Sequence, residues 1–141
     1  MPPVSLNYVA MLAVVIVSMA LGAVWYSPLL FGKIWMKHMG LHEKNKEEME
    51  KMKKEAGPAY AGTIITSFVM AYVMSHFVDY LQITTAMAGA ITGFWLWIGF
   101  VATASLSGYL FEKKHLALYL INNGFNLVNM TLAGAILAVW V

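Results

Sequence analysis

The chain has 141 residues, of which 60% are hydrophobic, and it carries a formal net charge of +2 with no cysteine. The missing cysteines exclude disulfides, thiolate metal sites and thiol redox chemistry. The positive charge comes from lysines within 33–54 and 113–114 and gives no reason to expect a nucleic-acid partner. The length fits a single membrane domain, 1–141, whose apolar surface mostly meets the lipid bilayer.

Four long apolar blocks predict an all-α integral membrane fold of four transmembrane helices in two hairpins. An apolar stretch of about 18 or more uncharged residues is long enough to cross a ~30 Å hydrocarbon core as a helix. The predicted spans cover about 4–30, 59–81, 86–111 and 116–141. Short connections make the last three spans antiparallel neighbours.

The first span ends in an aromatic motif, Trp25-Tyr26-Ser27-Pro28. Trp and Tyr favour membrane interfaces, and proline bends or ends a helix. The hydrophilic segment that follows predicts a short amphipathic, charged helix at about 33–56, stopped by Gly57-Pro58. Its part from His42 to Glu55 offers a docking surface for a possible cytoplasmic partner.

The lysines also predict the orientation in the membrane. Basic residues concentrate on cytoplasmic connections, and here they occur only on the first and third connections. We therefore expect a multi-pass protein of the cell (inner) membrane with both termini extracytoplasmic.

The fourth span carries a face of polar residues in a 4,3,4,3 spacing. At 100° per residue they share an arc of roughly 80° and extend about 20 Å inward from the cytoplasmic end. An unpaired amide in hydrocarbon costs several kcal/mol, so this face meets another helix, another subunit or water. It serves either interhelical hydrogen bonding or the wall of a pathway for a small polar solute. The face comprises His115, Tyr119, Asn122, Asn126 and Asn129, and a comparable face in the second span includes Thr63 and Ser67.

His76 and Asp79 lie three residues apart near the outer boundary of the second span. A carboxylate at this spacing is able to hold an imidazole and set its tautomer, as a proton-responsive pair requires. The alternative is an aspartate in the headgroup region with a neighbouring histidine.

Small residues mark two helix contacts, Ser18-x-x-x-Gly22 in the first span and Gly89-x-x-x-Gly93 in the third. The second span has polar residues on opposed faces. A helix packed against two neighbours finds partners for both faces only if another subunit contributes. We therefore expect a homo-oligomer with Gly22 or the Gly89/Gly93 pair at its seam. The sequence has no repeated metal-ligand pattern, so we expect neither a metal nor a cofactor.

Motifs for catalysis are missing: the sequence has no P-loop, dinucleotide-binding turn, paired catalytic carboxylates or Ser-His-Asp set. We therefore expect that the protein is not an enzyme. A membrane enzyme would have to use His115, Glu112 and the asparagine face at the cytoplasmic boundary.

Several motifs occur along the chain: Trp25 to Lys33 with Trp35-Met36-Lys37, Trp97 to Thr103, Tyr109 to Glu112, Leu118 to Gly124 and Gly134 to Trp140. Together they resemble a small prokaryotic membrane family, domain-of-unknown-function 1761. The resemblance covers nearly the whole chain, is weakest from His42 to Glu55, and implies a four-span inner-membrane protein of bacteria or archaea. It implies no biochemical activity.

Two functions remain open on these observations. The first is a homo-oligomeric channel or transporter in which the asparagine face, with Thr63 and Ser67, lines a route for a small polar solute or ion. The alternative is a non-catalytic membrane scaffold or accessory subunit that uses the charged helix as its cytoplasmic docking arm.

Overall fold

The protein is all-α in a computed structural model that describes residues 3–41 and 43–140. The structure is 80% helical, and its described residues contain no strand, which confirms the all-α part of the predicted fold class. Its elements are α1 (Tyr8–Trp25), α2 (Gly32–His38), α3 (Lys46–Glu55), α4 (Gly57–Tyr80), α5 (Ala86–Leu96), a π-helical segment (Trp97–Ala102), α6 (Thr103–Glu112) and α7 (Leu116–Val139).

Three helices of the described chain are long and apolar enough to cross a membrane: α1, α4 and the continuous helix Ala86–Glu112, which contains α5, the π-helical segment and α6. Their mean hydropathies are 2.3, 1.5 and 1.5. The helix α7 has 24 residues, as α4 does, and carries no Lys, Arg, Asp or Glu. Four asparagines lower its hydropathy, so α7 as the fourth span stays a prediction.

The asparagine-bearing helix α7 lies at the centre of the bundle, in contact with α1, α4 and α5. Asn129 bonds to Ser18 and Asn122 bonds to Tyr26, so α1 and α7 run antiparallel. The pairing of Gly89 with Gly134 makes α5 antiparallel to α7 as well. All lysines consequently lie at one end of the bundle, the lysine-bearing end, while Asn7, residues 81–85 and Trp140 lie at the other, the lysine-free end.

A tight turn follows α1, which ends at Trp25 rather than near the predicted residue 30. Ser27 Oγ donates to the carbonyl of Val24 at 2.6 Å, and the amide of Gly32 donates to the carbonyl of Ser27 at 2.9 Å. A Cβ at Gly32 would overlap the backbone of Tyr26 and Ser27. The turn therefore requires glycine at this position, and it directs α2 back against α7.

The hydrophilic segment predicted as one helix at 33–56 forms two, α2 and α3. Gly40 separates them with a φ of +73°, a conformation that glycine adopts without strain. Asn45 caps α3 by accepting a hydrogen bond from the amide of Glu48 at 2.9 Å. His42, the first residue of the predicted docking surface, lies outside the described residues. Pro58 begins α4 in its first turn, where a missing amide hydrogen costs nothing.

Glycines bring the backbones of α5 and α7 together. A Cβ at Gly89 would overlap the carbonyl of Gly134, and a Cβ at Gly93 would overlap the carbonyl of Met130. Such close approach is how small residues stabilise helix pairs in membranes. This face is occupied within the chain, so the prediction of a subunit seam through the Gly89/Gly93 pair is wrong.

A π-helical segment interrupts the third long helix between α5 and α6, where the sequence predicted one uninterrupted span. Two side chains bind it to α7: Tyr119 donates to the carbonyl of Ala102 at 2.9 Å, and Trp97 Nε1 donates to the carbonyl of Asn123 at 3.0 Å. Single π turns are rare and often occur at functional sites.

Candidate functional site: two cavities on one helix seam

The larger cavity between α1 and α4 has a volume of about 530 Å³ and lies at the lysine-bearing half of the bundle. Its walls combine apolar surface with hydroxyl groups, and Tyr60 and Thr63 on α4 are exposed. We call it the large cavity. It is lined by Ser18, Met19, Gly22, Ala23, Tyr26, Tyr60, Thr63 and Phe125.

A smaller cavity of about 120 Å³ lies at the lysine-free end, between the same two helices and the end of α7. We call it the small cavity. Its polar lining residues are Ser5, Asn7, Ser75, Asp79, Gln82 and Thr84, and its apolar ones are Ala10, Val78, Ile83, Leu137 and Trp140.

A plug of buried apolar side chains separates the two cavities. On α1, Ala10 lines the small cavity and Ser18 lines the large one, so about 12 Å of helix lies between them at 1.5 Å per residue. Met11, Val14 and Met74 are the largest fully buried side chains of the described chain, and they fall in this interval. Ala71 and Ala133 complete their packing. The seam of α1, α4 and α7 is therefore open at both ends and closed in its middle.

Two of the three predicted asparagines bond to α1. Asn129, which is 6% exposed, accepts a hydrogen bond from Ser18 Oγ at 2.7 Å, and its amide nitrogen lies 3.8 Å from Met70 Sδ. Asn122 accepts a hydrogen bond from the Tyr26 hydroxyl at 2.7 Å. At these positions the amides join helices, as the interhelical interpretation expects.

Asn126 behaves differently from its neighbours. It is half-buried, and within the described residues its side chain has no hydrogen-bond partner. Because α4 and α7 run parallel and Met70 meets Asn129, Ser67 lies at the level of Asn126, one turn nearer the lysine-bearing end. Ser67 is 8% exposed, and its hydroxyl is likewise without a bond to the described chain. Two polar groups without a partner in the described chain thus share one level of the bundle, and their polar atoms keep some accessible surface.

The remaining members of the predicted face point elsewhere. Tyr119 donates to the carbonyl of Ala102 in the π-helical segment, and Thr63 donates to the carbonyl of Ala59 on its own helix at 2.9 Å. His115 caps α7, since its Nδ1 accepts from the amide of Ala117 at 3.2 Å. Its ring stacks on His38 of α2 with centroids 3.7 Å apart. Loss of hydration, followed by the positive charges of His115 and Lys37, lowers the pKa of His38.

A third cavity, of about 290 Å³, lies between α6 and α7 at the lysine-bearing end. Glu112 lines it and forms an ion pair with Lys114, while the stacked ring of His115 is not among its lining residues. Of the groups that a membrane enzyme would have to combine, this cavity joins Glu112 with Asn122 of the asparagine face, whereas His115 does not line it.

His76 and Asp79 do not form the predicted pair. His76 Nδ1 lies 2.8 Å from the carbonyl of Tyr72, so this nitrogen carries the proton, and the ring packs between Tyr72 and Tyr80. Asp79 turns to the small cavity, and within the described chain its carboxylate has neither an ion pair nor a hydrogen bond.

The aromatic motif lies inside the bundle as well as at its end. Trp25 Nε1 donates to the carbonyl of Ile121 at 3.0 Å, and its ring packs against Gly124. Tyr26 packs against Phe125 and Trp35. Pro28 lies exposed in the turn. The motif thus binds α1, α2 and α7 together beside the large cavity, whereas the sequence predicted only a membrane interface.

Sequence reasoning missed one buried polar residue and the plug. Asn123 is 6% exposed, accepts from Ser105 Oγ at 2.8 Å and donates to the carbonyl of Tyr119 at 3.0 Å. Its place next to Asn122, one step off the common face, was the available signal. The plug residues Met11, Val14 and Met74 have no signal, because buried and lipid-facing apolar residues look alike in a membrane helix.

Residues 9–138 match the family described as "Protein of unknown function (DUF1761)". The match covers most of the 141 residues, so the chain belongs to this family and the predicted resemblance is confirmed. No curated protein and no solved structure matches the chain.

Proposed function

We propose that the protein is a non-catalytic membrane channel or transporter that passes a small polar solute or ion along the seam of α1, α4 and α7. The observation that carries the proposal is the pair of cavities on one seam, separated by the plug of Met11, Val14 and Met74. A route that opens to both sides and is closed by flexible methionines suits regulated passage, because methionine repacks easily.

Asn126 and Ser67 support the same proposal. An amide without a partner costs several kcal/mol in hydrocarbon, far more than a membrane helix gains from one interhelical hydrogen bond. Water or solute that enters from the large cavity would supply the missing partners. Buried waters in proteins typically satisfy such groups with about three hydrogen bonds each.

The proposal includes α7 as the fourth span. Its 24 residues reach about 36 Å at 1.5 Å per residue, enough for a ~30 Å core. Asn129 bonds to Ser18 of α1, Asn123 bonds to Ser105 of α6, and Tyr119 bonds to the π-helical segment. Asn123 and Asn129 are buried, which lets a helix of lower hydropathy cross. With the lysines inside, the large cavity opens to the cytoplasm and both termini are extracytoplasmic.

Transport by purified protein in liposomes tests the proposal. We expect vesicles with the protein to pass at least one of three probes faster than empty vesicles: potassium chloride, methylammonium chloride or glycerol. The Asn126→Leu variant should reduce that flux at least about tenfold, because it replaces the water-binding amide by an apolar group. Its stability should change by about 1 kcal/mol or less, since no bond within the described chain is lost.

The matched control is Leu120→Ala on the same helix, where the side chain is 59% exposed on the outside of the bundle. This variant should keep the flux of the parent protein. Equal permeability of protein-containing and empty vesicles to all three probes would contradict the proposal, as would full flux in Asn126→Leu.

A second candidate is the scaffold function, favoured by α3. This helix has no buried residue, and its main contact within the described chain is with α4. Its first turn is acidic and its last turn is basic, which complements its dipole and lets it stand without a packing partner. A protein that is only a scaffold should give no flux above that of empty vesicles, so the same assay separates the two functions. If flux is found, deletion of α3 should leave it intact when α3 is only a docking arm.

We also propose that the protein forms a homo-oligomer, in which a second copy covers an apolar groove of about 400 Å³ on the outside of the bundle. The groove runs between α4 and the π-helical segment, where α4 and α5 barely touch. On the same helix, Tyr72 and His76 present a polar, partly exposed pair that a second subunit would satisfy. The groove includes Val69, Val73, Phe77, Leu96 and Phe100.

A further inference from the structure

We propose that the small cavity is a binding site for a monovalent cation, with the Asp79 carboxylate as its charged ligand. The inference rests on the proposed function and deepens it, because it names a cation as the permeating species. The site lies at the lysine-free end, where Asp79 is in the last turn of α4, just before the turn that leads to α5.

The charge of the cavity is the first argument. Asp79 is the single charged residue that lines either cavity, and no Lys, Arg or His contributes to the described lining of either one. Two helices begin and two end at this side of the bundle, so their dipoles largely offset one another. The carboxylate therefore sets the sign of the field, and a half-buried carboxylate without a partner favours a cation beside it.

The hydrogen bonds of the cavity give the second argument, because three of its polar side chains each donate to a backbone carbonyl. Asn7 Nδ2 donates to Trp140 at 2.6 Å, Gln82 Nε2 donates to Asp79 at 2.7 Å, and Ser75 Oγ donates to Ala71 at 2.7 Å. The Ser75 hydroxyl is left with lone pairs only, while Asn7 and Gln82 each keep one N–H beside the side-chain oxygen. Together with the Asp79 carboxylate, these oxygens supply ligands for a cation.

The number of charges and the size of the cavity indicate which cation. Divalent ions such as calcium take six to eight oxygens, usually with several carboxylates, whereas this site has one carboxylate and neutral oxygens. A single carboxylate balances a single positive charge. The volume of about 120 Å³ equals that of about four waters, enough for an alkali ion with some of its hydration shell or for methylammonium.

The turn after α4 positions these oxygens. Gln82 has a φ of +52°, in the left-handed region, and it brings Ile83 back so that its amide bonds to the carbonyl of Val78 at 3.0 Å. Thr84 then lies at the rim of the cavity. A glycine at position 82 would keep this turn and remove the side-chain oxygen, because glycine adopts a positive φ without strain.

Protection of Asp79 from a carbodiimide tests the site in the intact protein. The reagent modifies carboxyl groups, and peptide mass spectrometry reads Asp79 and the exposed Glu112 in the same molecule. Sodium, potassium and methylammonium chlorides are compared at equal ionic strength with the chloride of the bulky N-methylglucamine cation. We expect at least one of the three to slow modification of Asp79 at least threefold while Glu112 is unchanged. In Gln82→Gly, about tenfold more cation should be needed, a factor that corresponds to 1.4 kcal/mol.

Equal modification of Asp79 in all four salts would overturn the inference, and so would protection by calcium chloride alone or equal protection of Glu112. Cation protection without flux in liposomes would refute the proposed transport and leave the binding site standing. Flux of glycerol with an unprotected Asp79 would refute the cation site and leave transport standing.

Discussion

Replacement of Gly93 by alanine tests the contact that holds α5 against α7. A Cβ at Gly93 would overlap the carbonyl of Met130 and lie 3.0 Å from the Cα of Thr131. Both neighbours are backbone, so no side chain is able to move aside and the helices must separate. Overpacking of this kind costs about 1–3 kcal/mol. Alanine itself favours a helix over glycine by about 1 kcal/mol, so we expect Gly93→Ala to lose up to about 2 kcal/mol net.

Gly62→Ala on α4 is the matched control, because a Cβ there meets nothing within 4 Å. This variant should gain up to about 1 kcal/mol from helix propensity alone. Unfolding by a denaturing detergent, followed by tryptophan fluorescence, measures both free energies of unfolding. Equal stability changes in the two variants would refute the close approach of α5 and α7.

Three further predictions concern the bonds and surfaces around the seam. A double-mutant cycle of Ser18→Ala and Asn129→Leu should give a coupling of about 0.6–1.7 kcal/mol in the same unfolding assay, and no coupling would mean that the buried hydrogen bond is not formed. The lowered pKa of His38 means that protonation opposes its stack on His115, so the stack's contribution to stability falls once the pH drops below the ordinary histidine value of 6.5. Cross-linking of α2 to α7 should therefore weaken in acid, and His115→Gln, which removes the stack, should abolish this dependence on pH. A cysteine at Phe77, in the apolar groove, should cross-link two copies in nanodiscs, and a monomer there would contradict the proposed assembly.

Apolar runs and lysine positions were sufficient to predict an all-helical, membrane-compatible chain, because span length and charge placement depend on the bilayer rather than on details of packing. The boundary at Trp25 was less accessible, since it depends on how Gly32 permits the turn after α1. The π-helical segment was not accessible, because one of its carbonyls, that of Ala102, accepts from Tyr119, a residue on another helix.

The periodicity of α7 predicted which residues share a polar face but not which partners they meet. The spacing of Asn122, Asn126 and Asn129 placed them on one face, and two of them bond to α1. Periodicity does not state which neighbour stands opposite each residue, so the unpaired state of Asn126 required the packing of α4. The role of Asp79 was equally hidden, because the small cavity joins Asn7, Gln82 and Trp140, which lie far apart in the sequence.

Cysteine accessibility tests most directly whether the seam is a hydrated route, and the protein suits it because it has no cysteine of its own. Single cysteines at Ser67, Asn126, Met74 and Leu120 are exposed in sealed vesicles to a small charged thiol reagent, which needs a hydrated thiolate to react. We expect fast reaction at Ser67 and Asn126 from the lysine-bearing side and slow reaction at Met74 in the plug and at Leu120 toward lipid. Slow reaction at Ser67 and Asn126, equal to that at Leu120, would contradict the hydrated route.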